Sequence, residues 1–521
     1  MKLHFPYRVI LLLAAFLLLC GCQKEKGKPS EDLSLSDVYV QETEENDPPP
    51  ETPEETLPPE ETEVPETDEP DEPAEPEPIW QIKLLDGTVD LYSEELALGR
   101  GVQTVNRYVY SAGDTVEMGR VSADGGQVTV WTQQVGSGTM KCYDPETDTW
   151  SETALAAGAY QRNWAALSFA DGTSTLVYLP KVYRDHGQSS LEYLPDYDGV
   201  LRVVADGAGF TLSLEVTLPE EAVVADYMAV TSPTALWDWA DPEGETLWRD
   251  CLKESVGMWC VDGFYRATPE DYVPTGENYF YRCPATYLVK EILEIAEAGQ
   301  YGAKILSVAM LDTVARQQNA YGFWETAPQS GWLSRDYGLA AGFYDTRFNT
   351  DLQELFLRCY HAFGGDRFLE TLERYSDFFL WYSEKYHFET ENGWFVEDYY
   401  HPDGGQPTHC SLNHQAAECS LLYDLAETLE RPELKERADL MVNAIRDTGT
   451  AWVMDDSDLY YCIYPDGSYG RDDYPYLTYN DLLTLQGDLE RQYGARDATI
   501  QAIMDEKKIW MDRNGVTGYW T

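Results

Sequence analysis

The sequence predicts a multidomain β + α protein, an N-terminal β-sandwich or barrel-like domain followed by an (α/α) toroid of helix hairpins, and three observations predict it. Short β-branched and aromatic runs, broken by Asp-Gly, Ala-Gly and Gly-Gly, fill residues 79–225. After Trp237 the apolar residues recur at three and four instead of two. From there on, paired helical segments repeat at intervals of about 65 residues, marked by Asn349, Asn413 and Asn480 near the starts of successive first helices.

Residues 1–22 read as a secretion signal, with Lys2 and Arg8 ahead of an apolar run, Val9 to Leu19, that is too short to span a bilayer. Its end, Leu19-Cys20-Gly21-Cys22, resembles a bacterial lipobox. That resemblance implies lipidation at Cys22 and a place on the bacterial cell surface, anchored to the outer face of the cytoplasmic membrane. Residues 23–78 read as a tether. From Ser30 to Pro78 there are 20 acidic residues, 11 prolines and no Lys or Arg, a composition that cannot bury enough surface to offset its ordering entropy. Near polyproline II geometry, ~50 such residues reach ~150 Å.

Residues 79–225 then form the β-rich domain, and residues 226–521 the toroid, with helices expected at 285–298, 303–318, 351–363, 366–386, 412–429, 433–445, 480–493 and 496–511. Stacked helix hairpins bury each other's faces, so their long connections gather on one side. Those connections, 319–350, 387–411 and 449–479, carry Trp324, Trp332, Tyr337, Tyr344, Trp394, Tyr399, Tyr400, Tyr461, Tyr474 and Tyr476. Aromatic faces beside carboxylates and amides are what a sugar ring needs, for stacking and for hydrogen bonds to its hydroxyls.

A formal charge of −55 bounds the partners. After Pro78 there are 71 acidic and 32 basic residues, which excludes nucleic acid and a polybasic hold on anionic lipid. The same field opposes a polyanionic substrate at long range, so a local cluster such as Arg335, Arg347 and Arg471 has to act at short range. Eight cysteines follow Cys22 without any CxxC pair; they read as buried thiols, with Cys251 and Cys260 the one near pair that an exported chain could oxidise.

The densest chemistry lies in 397–425, EDYYHPDGGQPTHCSLNHQAAECSLLYDL, where a turn rich in ionisable side chains runs into a helix starting near Leu412. His401, His409 and His414 with Asp398 and Asp403 match no compact metal-ligand pattern, and the Asp455–Asp473 region lacks the order of a calcium loop, so neither a metal nor another cofactor is expected. Glu397 or Asp398 set against Asp472 or Asp473 offers a carboxylate pair for glycoside hydrolysis. Tyr399 and Tyr400, after Glu397-Asp398, and Tyr474, after Arg471-Asp472-Asp473, offer tyrosine-based proton transfer beside a carboxylate-bearing carbon.

The stretch from about Trp332 to Met511 resembles the helical domain of D-glucuronyl C5-epimerases. The matching pieces are Glu397-Asp398-Tyr399, Leu412-Asn413, Leu422-Tyr423-Asp424-Leu425, Asp447-Thr448-Gly449, and Arg471-Asp472-Asp473-Tyr474 with Asn480. The resemblance implies an enzyme that acts on uronic-acid residues of a polysaccharide or oligosaccharide, which the signal end would hold at the cell surface. It implies Tyr399 and Tyr474 as proton-transfer groups and Asp398 as their supporting carboxylate. An insertion before Asn413 leaves Tyr399 and Tyr400 as alternatives, and the family's Asp-Leu-Arg element stands here as Asp458-Leu459-Tyr460. Trp332, Arg335, Tyr344, Arg347, His409, Asn413, His414, Tyr460, Arg471 and Asn480 complete the expected substrate-binding set. A glycoside hydrolase or polysaccharide lyase on the same toroid, and a non-catalytic glycan-binding lipoprotein, are the alternative readings.

Overall fold

A computed structural model describes residues 77–520, apart from 100, 145–146, 148, 162–163, 220–222 and 253–256. The signal segment, Cys22 and the tether up to residue 76 lie outside the described residues. The N-terminal region is β-rich and the C-terminal region helical.

All strand pairing is antiparallel in the large sheet, which runs Trp80–Leu84, Gly87–Leu98, Gly101–Tyr110, Thr115–Ala123, Val223–Ser232 and Ser174–Gly187. A second sheet pairs Gly126–Val135, Gly209–Leu218, Val200–Asp206 and Gly158–Tyr160. Side chains that alternate along each strand serve two cores. Val121, Val177, Ala225 and Tyr227 face the second sheet and pack with Val130, Val203, Leu212 and Leu214. Val116, Met118, Leu176, Tyr178, Met228 and Val230 face the other way and pack on helices. Burial on both faces explains why residues 176–183 read as an apolar run broken only by Lys181.

The sheet continues past residue 225. Val223–Ser232 lies in its middle, and Tyr279–Arg282, Gly263–Ala267 and Gly257–Cys260 extend it beyond Ser190–Tyr193. These runs have four or five residues, too few to show an alternating period against their surroundings.

Ten α-helices follow among the described residues: α1 (Pro242–Leu252), α2 (Tyr287–Glu297), α3 (Tyr301–Ala315), α4 (Gly331–Tyr337), α5 (Thr346–Phe363), α6 (Asp366–Lys385), α7 (Leu412–Thr428), α8 (Pro432–Thr448), α9 (Leu477–Tyr493) and α10 (Ala498–Asn514). Eight match the expected segments; α1 and α4 do not correspond to any. α5 starts five residues ahead of the expected Asp351 because Asp345 caps it, its carboxyl accepting from the Phe348 amide at 3.1 Å. Gly364 and Gly365, both at positive φ, turn α5 into α6; a Cβ at Gly365 would stand 2.5 Å from the Phe368 ring. α7 packs between α5 and α9, and every side chain from Cys410 to Tyr423 is buried. The first helices α5, α7 and α9 each begin where a long connection ends, which brings three connections to their N-terminal ends. All eight described cysteines are buried, and no disulfide joins Cys251 to Cys260.

Candidate active site

The site is assembled where the connections before α5, α7 and α9 meet. A two-residue ribbon pairs Tyr344 with Tyr400 and Asp345 with Tyr399. Cross-strand partners share a face and neighbours along a strand do not. Tyr344 and Tyr400 accordingly point into the main core, where Tyr400 meets the rings of Tyr382, Tyr386 and Trp381, and the Tyr344 hydroxyl bonds that of Tyr375 at 2.9 Å. Tyr399 joins a separate cluster with Leu333, Tyr337, Leu339 and Phe343, covered by Trp332. Of the two alternatives, the structure places Tyr399 in the site and Tyr400 in the core.

Asp398 anchors the floor. Both its oxygens accept from the Ser411 amide at 3.0 Å, and the Ser411 hydroxyl donates to one of them. Nε2 of His409 stands 3.3 Å and Nδ1 of His414 3.6 Å from the carboxyl. The far nitrogen of His409 meets the Tyr337 hydroxyl at 2.6 Å, and Nδ1 of His414 meets the Thr346 hydroxyl at 2.7 Å. Burial pushes Asp398 well above the usual carboxylate range, against the Ser411 hydrogen bonds, and holds His409 down to about 3 and His414 far below its ordinary value. The trio is therefore a buried knot that fixes Ser411 at the start of α7.

Rings close around His409. Trp332 stacks on it at 6.0 Å, and Tyr399, Tyr461 and Tyr464 meet it edge-on at 5.7, 5.8 and 5.9 Å. Tyr474 stands 5.6 Å edge-on to Tyr461. Burial, reinforced by neighbouring tyrosines and by the charges of Asp345 and Asp398, raises the hydroxyls of Tyr399 and Tyr461 well above 10. The Arg471 guanidinium lies 4.5 Å above Trp332 and 3.3 Å from Asp336, on a residue held at φ 62. That left-handed conformation is uncommon for a non-glycine residue, and here it sets the one arginine of the last connection over the mouth.

Asn413 stands beside His414 in the first turn of α7, buried, its Oδ1 without a protein partner. The structure does not bring the remaining candidates to this mouth. Arg347 is taken up by Asp351 at 2.7 Å and Asp481 at 2.6 Å, and Arg335 is exposed against its neighbour Asp336. Tyr460 packs on Tyr469, and Asn480 accepts the Trp520 amide at 2.9 Å. Of the hydrolytic candidates, Glu397 accepts the Thr408 amide at 2.7 Å, Asp473 is held 2.8 Å from the buried Lys507, and Asp472 is exposed. His401 closes its own turn, meeting the Ala341 carbonyl at 3.1 Å and accepting the Asp403 amide at 3.1 Å. Among the described residues no group of three or more His, Cys, Asp or Glu is placed to hold a metal ion.

Three participants escape the sequence reading. Asp345 is missed because the expected α5 begins only at Asp351, although an aspartate followed by a helical period is an N-cap signal. Ser411 has the same signal ahead of α7. Tyr272, on the short strand Tyr272–Val273, feels the charges of Asp345 and Tyr474 and comes from the sheet region, where nothing in its local sequence points to this mouth.

No family model matches this chain, and no curated protein matches it in sequence. Among solved structures it is similar to a D-mannose isomerase, at 12% identity over 44% of this chain and 61% of the other, with a TM-score of 0.35. It is similar to an unsaturated glucuronyl hydrolase from Bacillus sp. GL1, at 15% identity over 44% and 60%, TM-score 0.31. A family 76 glycoside hydrolase from a bovine Bacteroides thetaiotaomicron strain aligns over 84% of this chain and 78% of its own, at 11% identity and TM-score 0.35. The chain spans less than two thirds of the first two, and likenesses of this size carry no argument about chemistry.

Proposed function

We propose that this chain is a surface-anchored carbohydrate-active enzyme, C5-epimerase-like, that exchanges a proton at C5 of uronic-acid residues in a glycan. The observation that carries the reading is the convergence of Tyr399, Tyr461 and Tyr474 on one mouth, beside buried carboxyls and beneath a Trp332–Arg471 platform. Trp332 offers a face for a sugar ring, Arg471 a charge for the uronate, and the tyrosines a proton donor and acceptor. The helical region is read as an α/α toroid because its hairpins repeat, α7 packs between α5 and α9, and their connections meet at one end. The Cys22 anchor and the tether set this site outside the cell; a Cys22→Ala chain then leaves the membrane fraction.

Glycoside cleavage is the second reading, favoured by Asp345 and Asp398 lying on neighbouring segments, with the Thr346 amide donating to the Asp398 carbonyl at 3.0 Å. Incubating the full chain with uronic-acid polysaccharides in heavy water separates the two. Deuterium at C5 without new chain ends supports the first, new ends without deuterium the second, and glycan binding with neither leaves a binding protein.

A further inference from the structure

This inference rests on the proton-transfer reading and names the group that drives it. We propose that Asp345 is the proton acceptor of the site, taking the hydroxyl proton of Tyr399 as Tyr399 removes the C5 proton of the substrate. A phenol held protonated by burial cannot act as a base alone, so a tyrosine in this mouth works only if a carboxylate draws off its proton.

Three carboxylates stand near Tyr399, and the ribbon register sets one of them, Asp345, directly across from it. Glu397 accepts the Thr408 amide. Asp398, 1% exposed, is filled by the Ser411 amide and hydroxyl with two imidazoles at its sides. Asp345 is the register partner of Tyr399 on the shared face of the ribbon, which sets their Cβ atoms ~4.5–5.5 Å apart. It accepts from the Phe348 amide, at the positive end of α5, a place that tolerates the carboxylate once it forms. It is faced by Arg347 and Asp351 of α5, by Asp398 and Tyr399 across the ribbon, and by Tyr272 and Tyr461 from the other connections. Burial lifts its carboxyl to about 7, with the Phe348 amide opposing and Asp351 adding, so it holds or gives up a proton near neutrality.

The step balances. The C5–H bond breaks and its proton goes to the Tyr399 oxygen, while the Tyr399 O–H proton goes to Asp345. The electron pair stays on the substrate as an enolate spread into the adjoining carboxylate, facing Arg471. Reprotonation at C5 takes the O–H proton of a tyrosine on the opposite face, Tyr474 or Tyr461, and that phenolate regains a proton from Asp345 through solvent.

Asp345→Asn tests this in the full chain, because asparagine keeps an oxygen for the Phe348 amide and α5 stays capped. The expected result is a ~10²–10⁴-fold loss of C5 deuterium incorporation with KM unchanged. Wild-type exchange rises with pH through about 7 and levels above it, whereas the residual rate of the variant is flat across that range. Asp345→Glu recovers part of the rate. Exchange by Asp345→Asn at the wild-type rate, or with the wild-type pH profile, overturns the assignment and leaves the proton-transfer reading standing. A wild-type chain that exchanges no C5 proton overturns both.

Discussion

Tyr399 and Tyr400 differ by one position and by one face of a ribbon, and the face decides which ring cluster each of them joins. Tyr399→Phe is expected to lower C5 exchange ~10²–10⁴-fold, since it removes a hydroxyl from the mouth. Tyr400→Phe keeps its ring among Tyr382, Tyr386 and Trp381, and is expected to change the exchange rate little and stability by about 1 kcal/mol. Parallel exchange assays and denaturant titrations of the two variants check this; equal losses of rate would count against the assignment. In the sequence these residues are equivalent, because both follow an acidic pair and both are aromatic. What separates them is register: Tyr399 lies opposite Asp345 and Tyr400 opposite Tyr344, a pairing between segments more than fifty residues apart in the chain. The arginines repeat the lesson. Arg335, Arg347 and Arg471 look interchangeable as candidate cations, yet Arg347 is neutralised by Asp351 and Asp481, and of the three it is Arg471 that lies over Trp332.

At the scale of elements, the long helices are legible in the sequence and the short pieces that aim the site are not. α6, α7 and α8 have 20, 17 and 17 residues, enough turns for the three-and-four spacing to stand out. α4 has seven residues and reads as loop, yet it carries Trp332 and Tyr337; its only local marks are Ser330 as N-cap and Gly338 in the left-handed conformation at its end. The connection before α9 is fixed from behind. Lys507 of α10, fully buried, binds Asp458 at 2.5 Å and Asp473 at 2.8 Å and donates to the Tyr474 carbonyl at 2.8 Å. Lys507→Met would leave two buried carboxylates without their cation, and is expected to cost roughly 3–5 kcal/mol in a denaturant titration. Because the same lysine holds the Tyr474 backbone, surviving folded protein is expected to lose exchange rate as well. A loss below about 1 kcal/mol would show this triad to be dispensable.

At the scale of the whole molecule, sheet and helices share one core. Trp80 lies between Arg316 at 5.5 Å and Arg367 at 4.6 Å, the Tyr108 hydroxyl donates to Asp312 at 3.0 Å, and the face formed by Val116, Met118 and Met228 packs with residues of α2 and α3. Residues 226–521 made alone would expose that face and lose the sheet's outer neighbours. They are expected to lack the near-ultraviolet dichroism and cooperative melting of the full chain; a cooperative melt would show the helical region to be independent. Buried acids add a pH dependence. Burial raises Glu418 to about 8, against hydrogen bonds from Thr350 and Tyr375, and Asp345 to about 7. Above about pH 4.5 an unfolded chain has released these protons while the folded chain holds them up to about 7 at Asp345 and about 8 at Glu418, so stability falls as pH rises through that window. The melting temperature is expected to drop from about pH 5 to about 8, and to drop less in Glu418→Gln; an equal drop would remove Glu418 as a contributor.

By itself the sequence determined the β-then-α order and the eight longer helices, because periodicity and turn chemistry are local and act over ten or more residues. Only the tertiary structure decided that strands after residue 225 rejoin the sheet, that Tyr399 rather than Tyr400 faces the mouth, and that Asp345 and Tyr272 share it. Those outcomes depend on pairings between two- to five-residue strands and on which counter-ion each arginine finds. Such choices are made by neighbours distant in the chain, and leave no period in it.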